Sequence, residues 1–265
     1  MKFSILTLII ILFFSSCISN KNPTTLALTK RKLITLTYNI HHGAPANSKE
    51  VSLENIAKVI KKSGADIVAL QEVDVNVARS GNLNQAAELA KLLSMYYYFS
   101  KSIDFGGGEY GVAILSKYKL TNTRNELLLM PVAGEQRSVA LATIQLPGNV
   151  FVEFGSTHLD LNVPNRTAQV EQLNSISRRL NRSLMIGGDY NAEPYSDEMV
   201  KLKKEFNLAC NNSYPLTFPV INPTKSIDFM TFNKIASSIF TVASVKAMNG
   251  EYASDHLPLV VEFIY

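Results

Sequence analysis

From Leu33 to Leu70 the chain reads as strand, helix, strand, and that order restricts the fold more than any other stretch. Leu33, Ile34, Leu36 and Tyr38 make an apolar run that ends at Asn39. Leu53, Ile56, Val59 and Ile60 follow at helical spacing, with Ser52 placed to cap the first turn and Gly64 to stop the last. Ile67-Val68-Ala69-Leu70 is apolar throughout and empties into Gln71-Glu72. Two strands joined by a crossover helix lie parallel, and their C-terminal ends share one sheet edge. Asn39 and Glu72 are therefore predicted to meet in space.

The same kind of ending recurs. Leu184-Met185-Ile186 runs into Gly187-Gly188-Asp189-Tyr190-Asn191, and an apolar run over 150–154 runs into Ser156-Thr157-His158-Leu159-Asp160. Ser254-Asp255-His256 precedes the last apolar run. In an extended segment Asp189 and Asn191 share a face, as do His158 and Asp160. Gly187 and Gly188 would let backbone approach a ligand closely. The alternative for the Asp and Asn is an Asx turn that uses them for local hydrogen bonds. Asp255 and His256 are adjacent, so a turn is needed before both can serve one site; a cap on the final strand is the alternative there. Strand ends are where α/β sheets place ligands. The oxygen-rich set Asn39, Glu72, Asp189, Asn191 and Asp255 selects Mg2+ or Mn2+ over Zn2+. His41 and His42 would point apart in an extended strand, and with four histidines in all a structural zinc is not expected.

Elsewhere the pattern predicts helices over 85–93, 165–180 and 197–206. Strands are predicted over 96–99, 112–115, 126–129, 139–146, 150–156, 227–231, 240–245 and 257–264. The run of short strands after residue 96 suggests antiparallel pairing, and mixed sheets with helices outside make an α/β or α+β sandwich. Gly106-Gly107-Gly108-Glu109-Tyr110-Gly111 precedes a strand instead of a helix, so it reads as a flexible loop at a substrate rim and not as a phosphate cradle. No linker or repeat interrupts 31–265, which is read as one domain. With 46% hydrophobic and 18% charged residues it can bury a large core. A net charge of +4 suits a phosphate-bearing substrate without marking a nucleic-acid binder, and no ladder of aromatic and basic residues stands out.

The N-terminus is of another kind. Lys2 and the apolar run over 5–14 read as a secretory signal over 1–16, too short to span a bilayer. Ser15-Ser16-Cys17 resembles the lipobox of bacterial lipoproteins, in which the cysteine is acylated, although Phe14 stands where an aliphatic residue is usual. An ordinary signal peptide is the alternative. The Asn/Thr-rich stretch over 17–30 reads as a tether, giving an exported, membrane-anchored lipoprotein facing the periplasm or the exterior. With Cys17 acylated, Cys210 has no disulfide partner and is read as a small buried hydrophobe.

Taken together, Thr37-Tyr38-Asn39, Gln71-Glu72, Gly188-Asp189-Tyr190-Asn191, Ile227-Asp228-Phe229 and Ser254-Asp255-His256 make the chain resemble the endonuclease/exonuclease/phosphatase superfamily, the deoxyribonuclease I-like fold. The resemblance runs from Arg31 to the C-terminus in the right order. It implies a four-layered sandwich of two facing mixed sheets flanked by helices, and a Mg2+- or Mn2+-dependent phosphoesterase. By the same resemblance Glu72 would bind the ion with Asn39 and Asp255 in or near its shell. Asp189, positioned by Asn191, would activate water; His256, held by Asp228, and His158 would stabilise phosphoryl charge from two sides. Arg79, Arg137 and Arg166 are candidates for phosphate contacts, each in a loop-like or strand-edge stretch. Ser226 stands where many relatives carry Arg. The substrate stays open among a nucleic acid, a phospholipid headgroup and a soluble phosphate ester, and a monomer is expected. The other class is a lipoprotein of this fold that binds without catalysis.

Overall fold

The structure is a computed structural model and describes residues 30–210 and 213–265. The leader, Cys17 and all but the last residue of the tether lie outside the described residues. The chain begins with β1 (Lys32–Asn39), α1 (Leu53–Ser63), β2 (Ile67–Val75), α2 (Gln85–Leu93), β3 (Tyr96–Phe105) and β4 (Gly108–Ser116). A second series follows: β5 (Leu120–Leu127), β6 (Ser138–Leu146), β7 (Val150–His158), α3 (Val163–Leu180), β8 (Leu184–Asp189), α4 (Asp197–Leu202), β9 (Phe206–Leu208) and β10 (Asp228–Asn233). β11 (Thr241–Ala247) and β12 (Leu259–Ile264) end it.

Two six-stranded sheets result, ordered β11-β12-β1-β2-β4-β3 and β5-β6-β7-β8-β10-β9. At the centre of each lies a parallel pair joined by a crossover helix, β1–β2 through α1 and β7–β8 through α3. The helices begin and end as their sequences dictate. Ser52 Oγ accepts from Asn55 N at the start of α1, and Gly64, at φ 72°, closes it.

Alternation along the strands sorts side chains into three apolar layers. Leu33, Ile67, Ala69, Phe154, Met185 and Met230 meet between the sheets. Leu36, Tyr38, Val68 and Leu70 face Ile56, Val59, Ile60 and Leu89 of α1 and α2. Leu141, Leu184 and Ile186 pack with Val170, Leu173, Ile176 and Met199 of α3 and α4. Three apolar layers between helices and sheets make the four-layered α/β sandwich that the resemblance implies.

Between the sheets the filling changes along the strand axis. Bulky Leu33, Ile67 and Met185 occupy one end, Ala69, Thr37 and Gly187 the middle, and Asn39, Gln71 and Asp189 the other. At Gly187 the sheets approach closely: a Cβ there would meet Ala69 Cβ at 2.7 Å, Met230 Cε at 2.9 Å and Thr37 Cβ at 3.1 Å. The glycine serves sheet–sheet approach and not ligand approach, a correction to the sequence reading. Gly187→Ala is expected to destabilise the fold by about 1–3 kcal/mol through overpacking, read as a lower urea midpoint at unchanged slope. An unchanged midpoint would show that the two sheets can part at no cost.

Four local expectations change. β2 does not end at Gln71-Glu72; its pairing with β4 shifts register between Leu70 and Val73, and the strand resumes to Val75. The predicted strand over 126–129 lies upstream as β5, a polar, mostly exposed edge strand whose composition hides it. The helix predicted over 197–206 stops at Leu202, and Phe206 opens β9. Gly106 and Gly107, at φ 54° and 83°, form the tight turn of the β3–β4 hairpin in place of a flexible loop.

Candidate active site

Because β1–β2 and β7–β8 are both parallel, Asn39, Glu72, His158 and Asp189 arrive at one edge of the sandwich. β10 runs antiparallel to β8 and sets Asp228 directly opposite Asp189. The β11–β12 connection brings in His256, and Ser254 Oγ ties it down by donating to Asn39 O at 2.8 Å.

Glu72 sits inside the β2 bulge at φ 58°, a left-handed conformation that is costly for a glutamate. The bulge re-aims its carboxylate, while Gln71 takes the inward position. Ser156 Oγ donates to Leu70 O at 2.9 Å and accepts from Gln71 Nε2 at 3.1 Å, binding the two sheets together at the bulge.

Asp189 is the centre of the site. Its Oδ2 accepts from Asn39 Nδ2 at 3.2 Å and lies 3.5 Å from His158 Nε2 and 3.6 Å from His256 Nε2. Its Oδ1 accepts from Asn191 N at 2.9 Å. That last bond is the local Asx turn, so the pair Asp189 and Asn191 is joined by a turn and not by strand alternation, with Asn191 at φ 50°. Asn191 Nδ2 lies 3.0 Å from His158 Nε2 and donates to Leu159 O at 2.9 Å.

Electrostatics divides the labour between the two imidazoles. His256 Nδ1 bonds Asp228 Oδ2 at 2.9 Å. Burial alone would lower this imidazole, but Asp228 and Asp189 outweigh it and hold it up to about 10, so it is charged at neutral pH. His158 is buried, and its imidazole is held well below the usual range by burial, then by Arg137 and His256. Arg137 Nη1 donates to His158 Nδ1 at 3.2 Å. Arginine only donates, and the Asn191 amide nitrogen facing Nε2 also donates, so both ring nitrogens meet donors, which opposes a second proton on the ring. Burial, and then the Asp228 carboxylate opposite, push the Asp189 carboxyl up to about 7, against the pull of His256. A neutral imidazole, an imidazolium and a carboxylate poised near neutrality can orient a water, take its proton and receive negative charge.

The remaining candidates fall into place unequally. Asn39 Nδ2 also donates to Glu72 Oε1 at 3.0 Å, linking the carboxylate of one sheet to that of the other. Asp255 lies in the loop before β12, accepts from Ser254 Oγ at 3.3 Å, and acts on His256 through space. Arg79 grips Asp74 through two bonds of 2.8 and 2.9 Å under the Phe105 ring. Arg166 sits in the first turn of α3, not in a loop, bonded to Glu198 Oε1 and to the carbonyls of Asp160 and Leu161. Asp160 accepts from Asn162 N and Asn165 Nδ2 and fastens the start of α3. Ser226 Oγ donates to Tyr214 O and Pro215 O and shapes the loop leading to Asp228. Cys210 is half-buried, not fully buried. Beside Asn191 and His256 opens a cavity of ≈ 310 Å³, lined also by the apolar Leu161 and Phe218 and the basic Arg166 and Lys225.

Sequence reasoning misses His41 and His42. The segment is not extended; it is a tight turn with φ 44° and 45°, the two rings edge-on at 4.4 Å, and both can place a donor atom within 4.8 Å of Glu72. Gly43 and Pro45 immediately downstream are the turn signal that could reveal it. Phe218, whose ring lies 4.7 Å from that of His256, carries no signal at all.

Comparison with known proteins agrees with this geometry. The model of the Endonuclease/Exonuclease/phosphatase family matches residues 36–256. The Escherichia coli K12 protein YbhP, itself uncharacterised, is 24% identical over 241 residues, which is 86% of this chain and 94% of YbhP. A Bacteroides vulgatus endonuclease/exonuclease/phosphatase superposes with a TM-score of 0.72 at 18% identity, over 88% of this chain and 98% of that one. The mannosyl-6-phosphatase Bt3783 of Bacteroides thetaiotaomicron VPI-5482 superposes with a TM-score of 0.69 at 17% identity, over 88% and 100%. The matched span contains every residue of the Asp189 cluster, and the chain belongs to the Endonuclease/Exonuclease/phosphatase family.

Proposed function

We propose that the chain is a divalent-cation-dependent phosphoesterase that cleaves a P–O bond by in-line attack of a water held on Asp189. Family membership supports a phosphoesterase kind of function, since members include phosphatases and nucleases. The observation that carries the reading is the convergence of Asn39, His158 and His256 on one oxygen of Asp189.

The donor set fits a cation. Asp189, Asp228 and Asp255 surround one charged imidazole, Glu72 joins them through Asn39, and Asp228 Oδ1 is buried with no partner among the described residues. Glu72, with Asn39 beside it and Asp255 nearby, would hold the ion. When bound, it supplies Lewis-acid polarisation of the phosphoryl group and a template for its oxygens. Asp189, fixed by the Asn191 N–H, orients the water and takes its proton. The imidazolium of His256, held by Asp228, faces the developing charge with Nε2–H, and neutral His158 flanks Asp189 from the other side. The cavity beside His256 would receive one of the two groups esterified to phosphorus.

The test is hydrolysis of a panel of plasmid DNA, sphingomyelin, small phosphodiesters and a hexose 6-phosphate, the last chosen because Bt3783 is a mannosyl-6-phosphatase. Chelation should abolish turnover and either Mg2+ or Mn2+ restore it; full activity in excess chelator would remove the cation from the mechanism. We further propose that Cys17 carries a lipid anchor. Cys17→Ser should move the protein from the membrane pellet to the soluble or unprocessed fraction, and a wild type that is soluble and lipid-free would refute the anchor.

A further inference from the structure

Beside the Asp189 cluster, close to Glu72, stand two donors that the hydrolytic reading does not use, His41 and His42. His41, His42 and Glu72 can each place one ligand atom within 4.8 Å of the other two. Donors about 2.1 Å from a shared ion lie within about 4.2 Å of one another, so small side-chain rotations close the site.

Hydrogen bonding prepares one imidazole as a ligand, and the other keeps an unbonded ring nitrogen. His41 Nδ1 lies 3.0 Å from Ala44 O. A carbonyl only accepts, so Nδ1 carries the proton and Nε2 keeps its lone pair; a backbone carbonyl behind a ligating histidine is the usual supporting bond in metal sites. His42 Nδ1 is buried and has no partner among the described residues. Both residues are half-buried, so an ion can reach them from solvent. The turn that presents them is pinned so that two adjacent side chains stay together. Asn39 Oδ1 accepts from His41 N at 3.0 Å, and Gln85 Nε2 donates to His42 O at 2.6 Å. The other compact donor group among the described residues, Asp189, Asp228 and His256, belongs to the hydrolytic site.

We propose that His41, His42 and Glu72 form a binding site for a transition-metal dication of the Zn2+ and Co2+ class. Two nitrogens and one carboxylate oxygen make a three-ligand set with open positions for water, and imidazole donors favour such ions over Mg2+. The inference goes beyond the phosphoesterase reading, touching it only through Glu72, and it is tested by binding, not by turnover.

The experiment titrates metal-free protein with Co2+, followed by visible absorption and calorimetry. The wild type should take up Co2+ with ligand-field bands stronger than those of the hexa-aqua ion. His41→Asn and His42→Asn should each weaken Co2+ at least tenfold and shift those bands, with Mg2+ affinity changed less than threefold. Asparagine is chosen because it tolerates the left-handed backbone at both positions. Unchanged Co2+ affinity and spectra in both variants overturn the site, whether or not the protein hydrolyses a phosphoester. A second reading needs no variant: Zn2+ should protect the peptide bearing His41 and His42 from diethyl pyrocarbonate in the wild type, located by mass spectrometry. Equal modification of that peptide with and without Zn2+ also overturns it.

Discussion

Asp189→Asn and His256→Ala should each lower kcat by about 10²–10⁴-fold or more at saturating divalent cation, the range that positioned proton transfer and charge stabilisation supply. The Asp189 change is nearly isosteric. An asparagine oxygen can still accept from Asn191 N, which now binds Oδ1 at 2.9 Å, so the turn after β8 should persist. What disappears is the carboxylate on which Asn39, His158 and His256 converge, and with it the capacity to take a proton. Cation affinity should change little, because Glu72 is untouched.

His256→Ala acts by two routes, and only one is catalytic. The charged imidazole is lost from the site, and Asp228 is left buried with neither oxygen paired among the described residues, since its Oδ1 already lacks a partner there. Breaking a buried pair from one side typically costs about 3–5 kcal/mol, so this variant should also melt earlier. His256 is held up to about 10 in the fold against an ordinary value of 6.5. Its stabilising contribution is therefore complete below about 6.5 and fades as pH rises through about 10. The melting gap between wild type and His256→Ala should narrow over that interval. Near-normal turnover of folded Asp189→Asn and His256→Ala with the cation site filled would move the chain to the binding-only class.

What is legible in the chain follows from which forces are local. The β1–α1–β2 unit announces itself through hydrophobic period, cap and turn residues, whereas the strand over 150–156 reads as one of an antiparallel run and its parallel pairing with β8 through α3 appears only in the structure. Local pattern is therefore enough to bring Asn39 and Glu72 together and to place His158 and Asp189 after apolar runs, while the edge all four share rests on the parallel β7–β8 pairing. The pairing of Asp189 with Asn191 is legible for the wrong reason, because a turn with φ 50° replaces the extended geometry. Gly187-Gly188 looks like a ligand-facing pair, yet Gly187 answers to Ala69, Thr37 and Met230, residues distant in sequence whose approach no local pattern encodes. Arg137 stands among three arginines with no sign distinguishing it. Only tertiary packing sets it on His158 Nδ1, to which it donates at 3.2 Å. A straight strand past Asn39 would send His41 and His42 apart, whereas backbone in the left-handed region turns both rings toward Glu72.

Glu72→Gln should produce the second large effect and a different one: loss of cation binding, with the Asp189 machinery intact. Glu72 occupies a strained bulge position at φ 58°, and glutamine has the same length and the same backbone demands, so the bulge should survive. Its amide oxygen can still accept from Asn39 Nδ2, which now lies 3.0 Å from Glu72 Oε1. The change therefore removes one negative charge and little else. Altering residues that merely support a metal ligand costs about 10–100-fold in affinity, so replacing a direct carboxylate ligand should cost at least that much. Because binding and not chemistry is impaired, raising the cation concentration should recover much of kcat. Mn2+ should rescue better than Mg2+, since it tolerates an amide ligand and neighbouring imidazoles more readily. Asp189→Asn should show no such rescue at any concentration. Calorimetric titration of both variants with Mn2+, alongside turnover at rising Mn2+, separates the two roles. A Glu72→Gln protein that binds Mn2+ like wild type but stays inactive would take Glu72 out of the cation site and make it part of the proton-transfer apparatus.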